Sequence, residues 1–248
     1  MLKGISPLVS TVIVILLTVV AIGTVILYAL PTINKAKEAS LINEAKQNMH
    51  QIDDMIREVA SEGVGSLRTL NFKATDGQYF VNSKINSLDF TYGVKYGTVQ
   101  PGTFIQDGNV LLIYGTNSRA SIYNLSTPKD GNGQIVLENK NLRVALHYNS
   151  SANASFPEAI NTSNIVQFLN FIPTGVNVTV ADSKVTIDDF NSTTIGSGYS
   201  YIVKPGNYLA SADAVVVVNT TSLYYEIHYS LPSGADFVIV KIQNAYYQ

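Results

Sequence analysis

The chain has no cysteine. Disulfides, thiolate metal sites and cysteine nucleophiles are therefore excluded together. It also has no tryptophan, only three histidines (His50, His147 and His228) and three methionines. His-based catalysis and histidine metal sites have little material, and no two histidines stand at a metal-binding spacing. Charge is scarce as well. Charged residues are 14% of 248, against the roughly 25% usual for soluble domains. Lysine and arginine number 16 against 18 acidic residues, for a formal net charge of −2. With no basic surplus to neutralise a run of phosphates, nucleic acid is not an expected partner.

Hydrophobic residues, at 46%, are concentrated first at the amino terminus. From Ile5 to Leu30 the sequence ISPLVSTVIVILLTVVAIGTVILYAL carries no charge over 26 residues. As a helix this is roughly 39 Å long, enough to cross a hydrocarbon core of about 30 Å. It exceeds the 7–15 apolar residues or so of a removed secretory signal. Lys3 precedes it, which favours a cytoplasmic amino terminus and an external carboxyl-terminal bulk. Ser6 followed by Pro7 is a helix-start pattern.

Pro31 interrupts the hydrogen-bond ladder, yet the helical pattern resumes directly behind it, so a kink is expected rather than a stop. Ile42, Ala45, Met49, Ile52, Ile56 and Val59 recur at steps of three and four with polar residues between them, which makes a one-sided apolar stripe. Gly63 and Gly65 supply the stop. The expectation is one long helix over residues 5–63, apolar at 5–30 and amphipathic at 32–62. The stripe is available both to the chain's own head and to other subunits.

A short leader ending in Lys3-Gly4, then Ile5-Ser6-Pro7 and a long apolar helix running into an amphipathic one, resembles an archaeal type IV pilin with a class III signal peptide. The resemblance covers residues 1 to about 63. It implies that residues 1–4 are a leader and that a membrane prepilin peptidase cuts between Gly4 and Ile5, leaving the apolar helix in the mature protein. Bacterial pilins carry a glutamate at the fifth mature position, where this chain has Val9, so the archaeal branch fits better. Archaellum subunits usually show a glycine-rich start to the helix. Here only Gly23 lies within it, and an adhesive pilin is favoured.

From about Leu67 the texture changes to short apolar or alternating runs separated by Gly, Asn, Asp, Ser and Pro, the pattern of an all-β domain. Candidate strands are Arg68–Lys73, Gln78–Asn82, Ser87–Tyr92, Val110–Tyr114, Gln134–Leu137, Leu142–His147, Val176–Ala181, Tyr199–Lys204, Asp213–Val218, Leu223–Leu231 and Phe237–Gln243. A short helix is expected around Ile165–Leu169. Turn signals stand at Asp76-Gly77, Asp107-Gly108-Asn109, Asp130-Gly131-Asn132-Gly133 and Ser233-Gly234. The fold class is thus α+β: a long amino-terminal helix followed by a β-rich head at 64–248, a sandwich for which Ig-like topology is one option.

The head holds seven Asn-x-Ser/Thr sequons, at Asn124, Asn149, Asn153, Asn161, Asn177, Asn191 and Asn219, and the helix holds none. Each is a glycan acceptor or a turn-forming asparagine. N-linked glycans would keep a charge-poor surface soluble outside the cell. No other cofactor and no metal are expected. Asp188-Asp189 puts its side chains on opposite faces of a strand, Asp130-Gly131-Asn132-Gly133 lacks the spaced ligands of a Ca²⁺ loop, and Gly196-Ser197-Gly198 lacks the flanks of a nucleophile elbow.

No acid–base constellation is visible, and the expected role is structural rather than enzymatic. The leading expectation is a subunit of an extracellular adhesive filament: a homopolymer whose helices form the core and whose glycosylated β heads form the sheath. Its partners are copies of itself, the prepilin peptidase and the assembly machinery, with the cytoplasmic membrane as its site before assembly. The alternative is a single-pass membrane-anchored ectodomain that binds a cell-surface ligand and never polymerises.

Overall fold

The structure, a computed structural model, describes residues 7–71, 73–123, 133–178, 180, 183–188 and 191–248. Backbone contacts divide the chain into two compact units, Met1–Phe80 with Leu88–Val99 and Val81–Ser87 with Gln100–Gln248.

The first unit is dominated by one helix of 56 residues, Pro7–Glu62. It comprises α1 (Pro7–Thr24), a π turn at Val25–Ala29 and α2 (Leu30–Glu62). Pro31 has no N–H, and its ring would collide with the carbonyl four residues back. The backbone widens just before it, and the Leu30 N–H reaches the Val25 carbonyl, five residues away. The Thr32 hydroxyl then donates to the Tyr28 carbonyl at 2.8 Å. The helix therefore passes the proline without stopping. Gly63, at φ 90°, ends it, a conformation that glycine adopts without the penalty a Cβ would bring.

The apolar stripe of α2 is only partly covered. Ala45 is buried while Ile56 is 61% exposed, and Ile52, Ile56 and Val59 line an open groove of about 590 Å³ with Met55, Leu70 and Leu88. Two polar residues of the same face are buried instead, Glu38 and Asn48. Asn48 Nδ2 donates to the Lys73 carbonyl at 2.9 Å and to the Tyr79 hydroxyl at 3.2 Å. Strand β1 (Gln78–Asn82) and strand β2 (Ser87–Thr91) form a hairpin, on which the Tyr79 and Phe90 rings lie 4.6 Å apart.

The second unit begins its regular structure with a small hairpin of β3 (Phe104–Asp107) and β4 (Val110–Ile113) around the expected Asp107-Gly108-Asn109 turn. Next come β5 (Ser118–Tyr123), β6 (Gly133–Glu138), β7 (Leu142–Tyr148), β8 (Glu158–Asn161), β9 (Val166–Phe171) and β10 (Val176–Val178). The last five are β11 (Ile195–Ile202), β12 (Gly206–Leu209), β13 (Ser211–Asn219), β14 (Leu223–Pro232) and β15 (Ile239–Tyr247). They form an antiparallel six-stranded sheet, β10-β9-β7-β6-β5-β12, and an antiparallel five-stranded sheet, β15-β14-β13-β11-β8.

Inner faces of both sheets meet in one core, where Ile135, Leu137 and Leu146 pack with Tyr225, Ile227 and Leu231. The alternation of β6, buried at every second residue, is the mark of a strand with one face inward. Strand β13 is instead buried without interruption from Ala214 to Val218. Ala214, Val216 and Val218 belong to the main core, and Val215 and Val217 to a second cluster with Val203, Ile85, Tyr199, Tyr201 and Tyr224 on the other face. Gly198 on β11 serves this packing, because a Cβ there would stand 1.9 Å from the Val217 carbonyl oxygen. Buried Asn139 closes one end. Its Nδ2 donates to the carbonyls of Pro232 and Ala235, both at 2.8 Å, and its Oδ1 accepts the N–H groups of Asn141 and Leu142.

Two sequence expectations are corrected. The segment expected as a helix around Ile165–Leu169 is strand β9, held by pairing with β7 on one side and β10 on the other. Arg68–Lys73, expected as a strand, has no strand in its described residues. Four strands, β3, β5, β8 and β12, were not foreseen. The candidate at Val176–Ala181 is a strand over Val176–Val178, with residues 179, 181 and 182 outside the described set. The turn expected at Asp130-Gly131-Asn132-Gly133 lies outside it as well, apart from Gly133 at the start of β6.

Candidate functional site: an exposed apolar helix and surface asparagines

Helix α1 reads PLVSTVIVILLTVVAIGT and buries none of its residues. Such a surface is satisfied only by hydrocarbon or by other apolar side chains. Its three threonine hydroxyls are already used, while Ser10 has no hydrogen bond among the described residues. Thr11, Thr18 and Thr24 donate to the carbonyls of Pro7, Val14 and Val20 at 3.0, 2.8 and 2.8 Å. This is the back-bonding expected of hydroxyls in an apolar helix. By length and composition the helix is able to cross a membrane. Gly4 and Ile5, the residues flanking the expected cut, lie outside the described residues.

Beyond the apolar span, Glu38 is 1% exposed. Its carboxylate sits in a cradle from the segment after β2. The Lys95 N–H donates to Oε1 at 2.6 Å, the Tyr96 N–H approaches both oxygens at 3.3 Å, and the Thr98 hydroxyl donates to Oε2. Burial opposes the charge, but these donors outweigh it and hold the carboxyl below the usual glutamate range. The sequence contained a signal for this site. Glu38 falls four residues before Ile42, on the apolar stripe itself, where a charge needs a partner.

Among the sequons, Asn124 lies outside the described residues and Asn191 opens a short 3-10 turn. Asn153, Asn161, Asn177 and Asn219 are exposed and Asn149 is half-buried. Most of them do structural work. Asn149 donates from Nδ2 to Glu158 Oε2 at 3.0 Å and accepts the Ser151 N–H. Asn153 Oδ1 accepts the N–H groups of Ser155 and Phe156. Asn161 caps a 3-10 turn by accepting from Ser163, and Asn177 Oδ1 accepts from Asn170 Nδ2 at 2.6 Å. Asn219 makes no side-chain hydrogen bond among the described residues.

Two histidine–carboxylate pairs also escaped the sequence reading, one joining strands of different sheets and the other joining alternate residues of a single strand. His147 Nε2 lies 3.2 Å from Glu158 Oε2. On the outer face of β14, His228 Nε2 lies 3.1 Å from Glu226 Oε2, which also accepts from Asn244 Nδ2 at 2.9 Å, and Glu226 Oε1 accepts the Tyr224 hydroxyl at 2.9 Å. Burial first, and Glu226 second, push the Tyr224 phenol above its ordinary range. Asp188, half of the Asp188-Asp189 pair, is exposed and accepts from the Tyr247 hydroxyl at 3.2 Å, while Asp189 lies outside the described residues. No group of three or more His, Asp or Glu side chains among the described residues is placed to hold a metal ion. Compared with known families, with curated proteins and with solved structures, the chain matches none.

Proposed function

We propose that this chain is the structural subunit of an extracellular, adhesive, type IV pilus-like filament. The observation that carries this reading is α1, an uncharged helix of 18 residues with no buried side chain, continuous with an amphipathic helix that leads to a β-rich head. In a single copy that surface has only lipid to meet. In a bundle of copies it meets itself, and lipid contact is exchanged for helix contact. The resemblance at Lys3 to Pro7 supplies the rest. A prepilin peptidase cuts between Gly4 and Ile5, the subunit waits in the cytoplasmic membrane, and the assembly machinery draws it into a homopolymer at the cell surface. The helices form the core, and heads bearing N-linked glycans form the sheath. The role is structural, with no catalytic residues and no metal.

A second reading has one observation in its favour. The threonine hydroxyls of α1 are satisfied within their own helix, so the helix is content in lipid without neighbours, as in a single-pass ectodomain that never polymerises.

Electron microscopy of material purified from the native host, with mass spectrometry of its amino terminus, separates the two. Filaments of this one subunit beginning at Ile5 are expected. A monodisperse membrane protein retaining residues 1–4 would overturn the filament reading in favour of the anchored ectodomain.

A further inference from the structure

The strand register on the outer face of the five-stranded sheet places Asn219 in a cross-strand row. Asn219 stands opposite Ser197 on β11 and opposite Tyr224 on β14, and Tyr224 stands opposite Tyr246 on β15. Ser197 is in turn opposite Ala159 on β8. From Asn219 the row therefore runs to small residues on one side and to two tyrosines on the other. The Tyr224 and Tyr246 rings are stacked, with centroids 4.9 Å apart and planes 24° from parallel. Tyr246 is 54% exposed. Tyr224 is fixed at both ends, its hydroxyl on Glu226 and its ring in the cluster with Val215 and Val217.

We propose that Asn219 is a glycan acceptor and that the Tyr224–Tyr246 pair is the shelf on which the first sugar of that glycan lies. The proposal rests on the reading of the head as an extracellular glycoprotein. Three observations carry it. Asn219 is exposed, and its side-chain amide is unengaged among the described residues, whereas Asn149, Asn153, Asn161 and Asn177 each spend at least one amide atom on the fold. Neighbouring strands are about 5 Å apart, so a pyranose attached at Asn219 reaches Tyr224 and then Tyr246 across two strand spacings. One face of a pyranose presents C–H bonds of partial positive charge, which suits the negative face of a phenol ring. The shelf is held rigid by Glu226 and by the stacking, so little side-chain freedom is lost when the sugar lies down.

The modification requires a sugar activated as a phosphate ester at its anomeric carbon. The Asn219 Nδ2–C1 bond forms and the C1–O bond to phosphate breaks. The phosphate departs with the bonding pair, and the amide gives up one proton to a base of the transferase.

The test uses the full-length chain from its native host, in detergent. Glycopeptide mass spectrometry reads occupancy, and circular dichroism reads the melting temperature of wild type, Asn219→Gln, Tyr246→Ala and the double variant. Asn219 is expected to be occupied. Asn219→Gln should lower the melting temperature by about 2–4 °C, and this loss should vanish in the Tyr246→Ala background. Tyr246→Phe should retain the coupling, and the same chains from a host without N-glycosylation should show none. An occupied Asn219 whose loss adds independently to that of Tyr246→Ala overturns the shelf. A bare Asn219 beside other occupied sequons overturns it as well. Both results leave the glycosylated-head reading standing, which falls only if all seven sequons are bare.

Discussion

Glu38 shows what one residue contributes to this fold. A carboxylate this deeply buried is stable only because three donors converge on it, and they bind the ionised form. Its pKa is depressed in the folded chain from the ordinary value of 4.5. The stabilisation is therefore fully present above about pH 4.5 and is lost as pH falls through the lower folded value. Glu38→Gln should melt earlier than wild type at pH 7, and the gap should narrow as pH is lowered below about 4.5, as followed by tyrosine near-ultraviolet dichroism. A constant gap between the two across that range would remove the charge from the explanation. Asn149 gives a second residue-scale prediction. Its Nδ2 is held by the half-buried Glu158, and occupancy at Asn149 should fall below that at exposed Asn153 in the same glycopeptide map. Equal occupancy would show that modification precedes this hydrogen bond.

Among the elements, the π turn before Pro31 is the most consequential. A π turn takes in one residue more than an α turn, so it rotates α1 by about 100° relative to the course of an unbroken α-helix. The face that α1 presents is thus set by Pro31. Pro31→Ala restores the missing amide and removes the collision, and the turn should close to α geometry with slower hydrogen exchange at residues 25–32. Unchanged exchange would mean that the proline is not the cause. The sequence located the helix, its passage through Pro31 and its end at Gly63, because apolar periodicity and breakers are local properties. It located strands wherever an apolar run was bracketed by turn residues, as at Gln78–Asn82 and Leu142–His147. It failed at β5, β8 and β12, where SRASIY, EAIN and GNYL are short or weakly apolar and become strands through their partners. It failed also at β9, where Ile165, Phe168 and Leu169 fall at helical spacing, yet six residues are too few for periodicity to separate helix from strand. The seven sequons were legible as motifs. Their hydrogen bonds run mostly to residues two or three positions on, in turns whose geometry the motif does not specify, and the row that joins Asn219 to Tyr224 and Tyr246 depends on strand register.

For the molecule as a whole, the filament reading turns on whether α1 holds copies together. Val20, 64% exposed in the single chain, lies near the middle of the uncharged span. Val20→Asp would bury a charge without a partner in every subunit, at about 2.5–3.5 kcal/mol each even on membrane-insertion scales. Filaments should be lost while the variant still enters the membrane, as measured by its level in the membrane fraction. Thr174→Asp, on an exposed turn of the head, should leave them intact. Normal filaments from Val20→Asp subunits would place the polymer's cohesion elsewhere. The back-bonded threonines add a consequence for register. Thr11, Thr18 and Thr24 turn their hydroxyls inward to their own carbonyls, so among the hydroxyls of α1 only Ser10, near its start, is left for a neighbour to meet. Beyond that point, rods of this kind cohere through dispersion between interlocking side chains, which is short-ranged but has no donor or acceptor to pair. In such a core the axial register between rods would be chosen by the fit of side-chain shapes and by the heads, since hydrogen bonds from the threonines are spent within each rod.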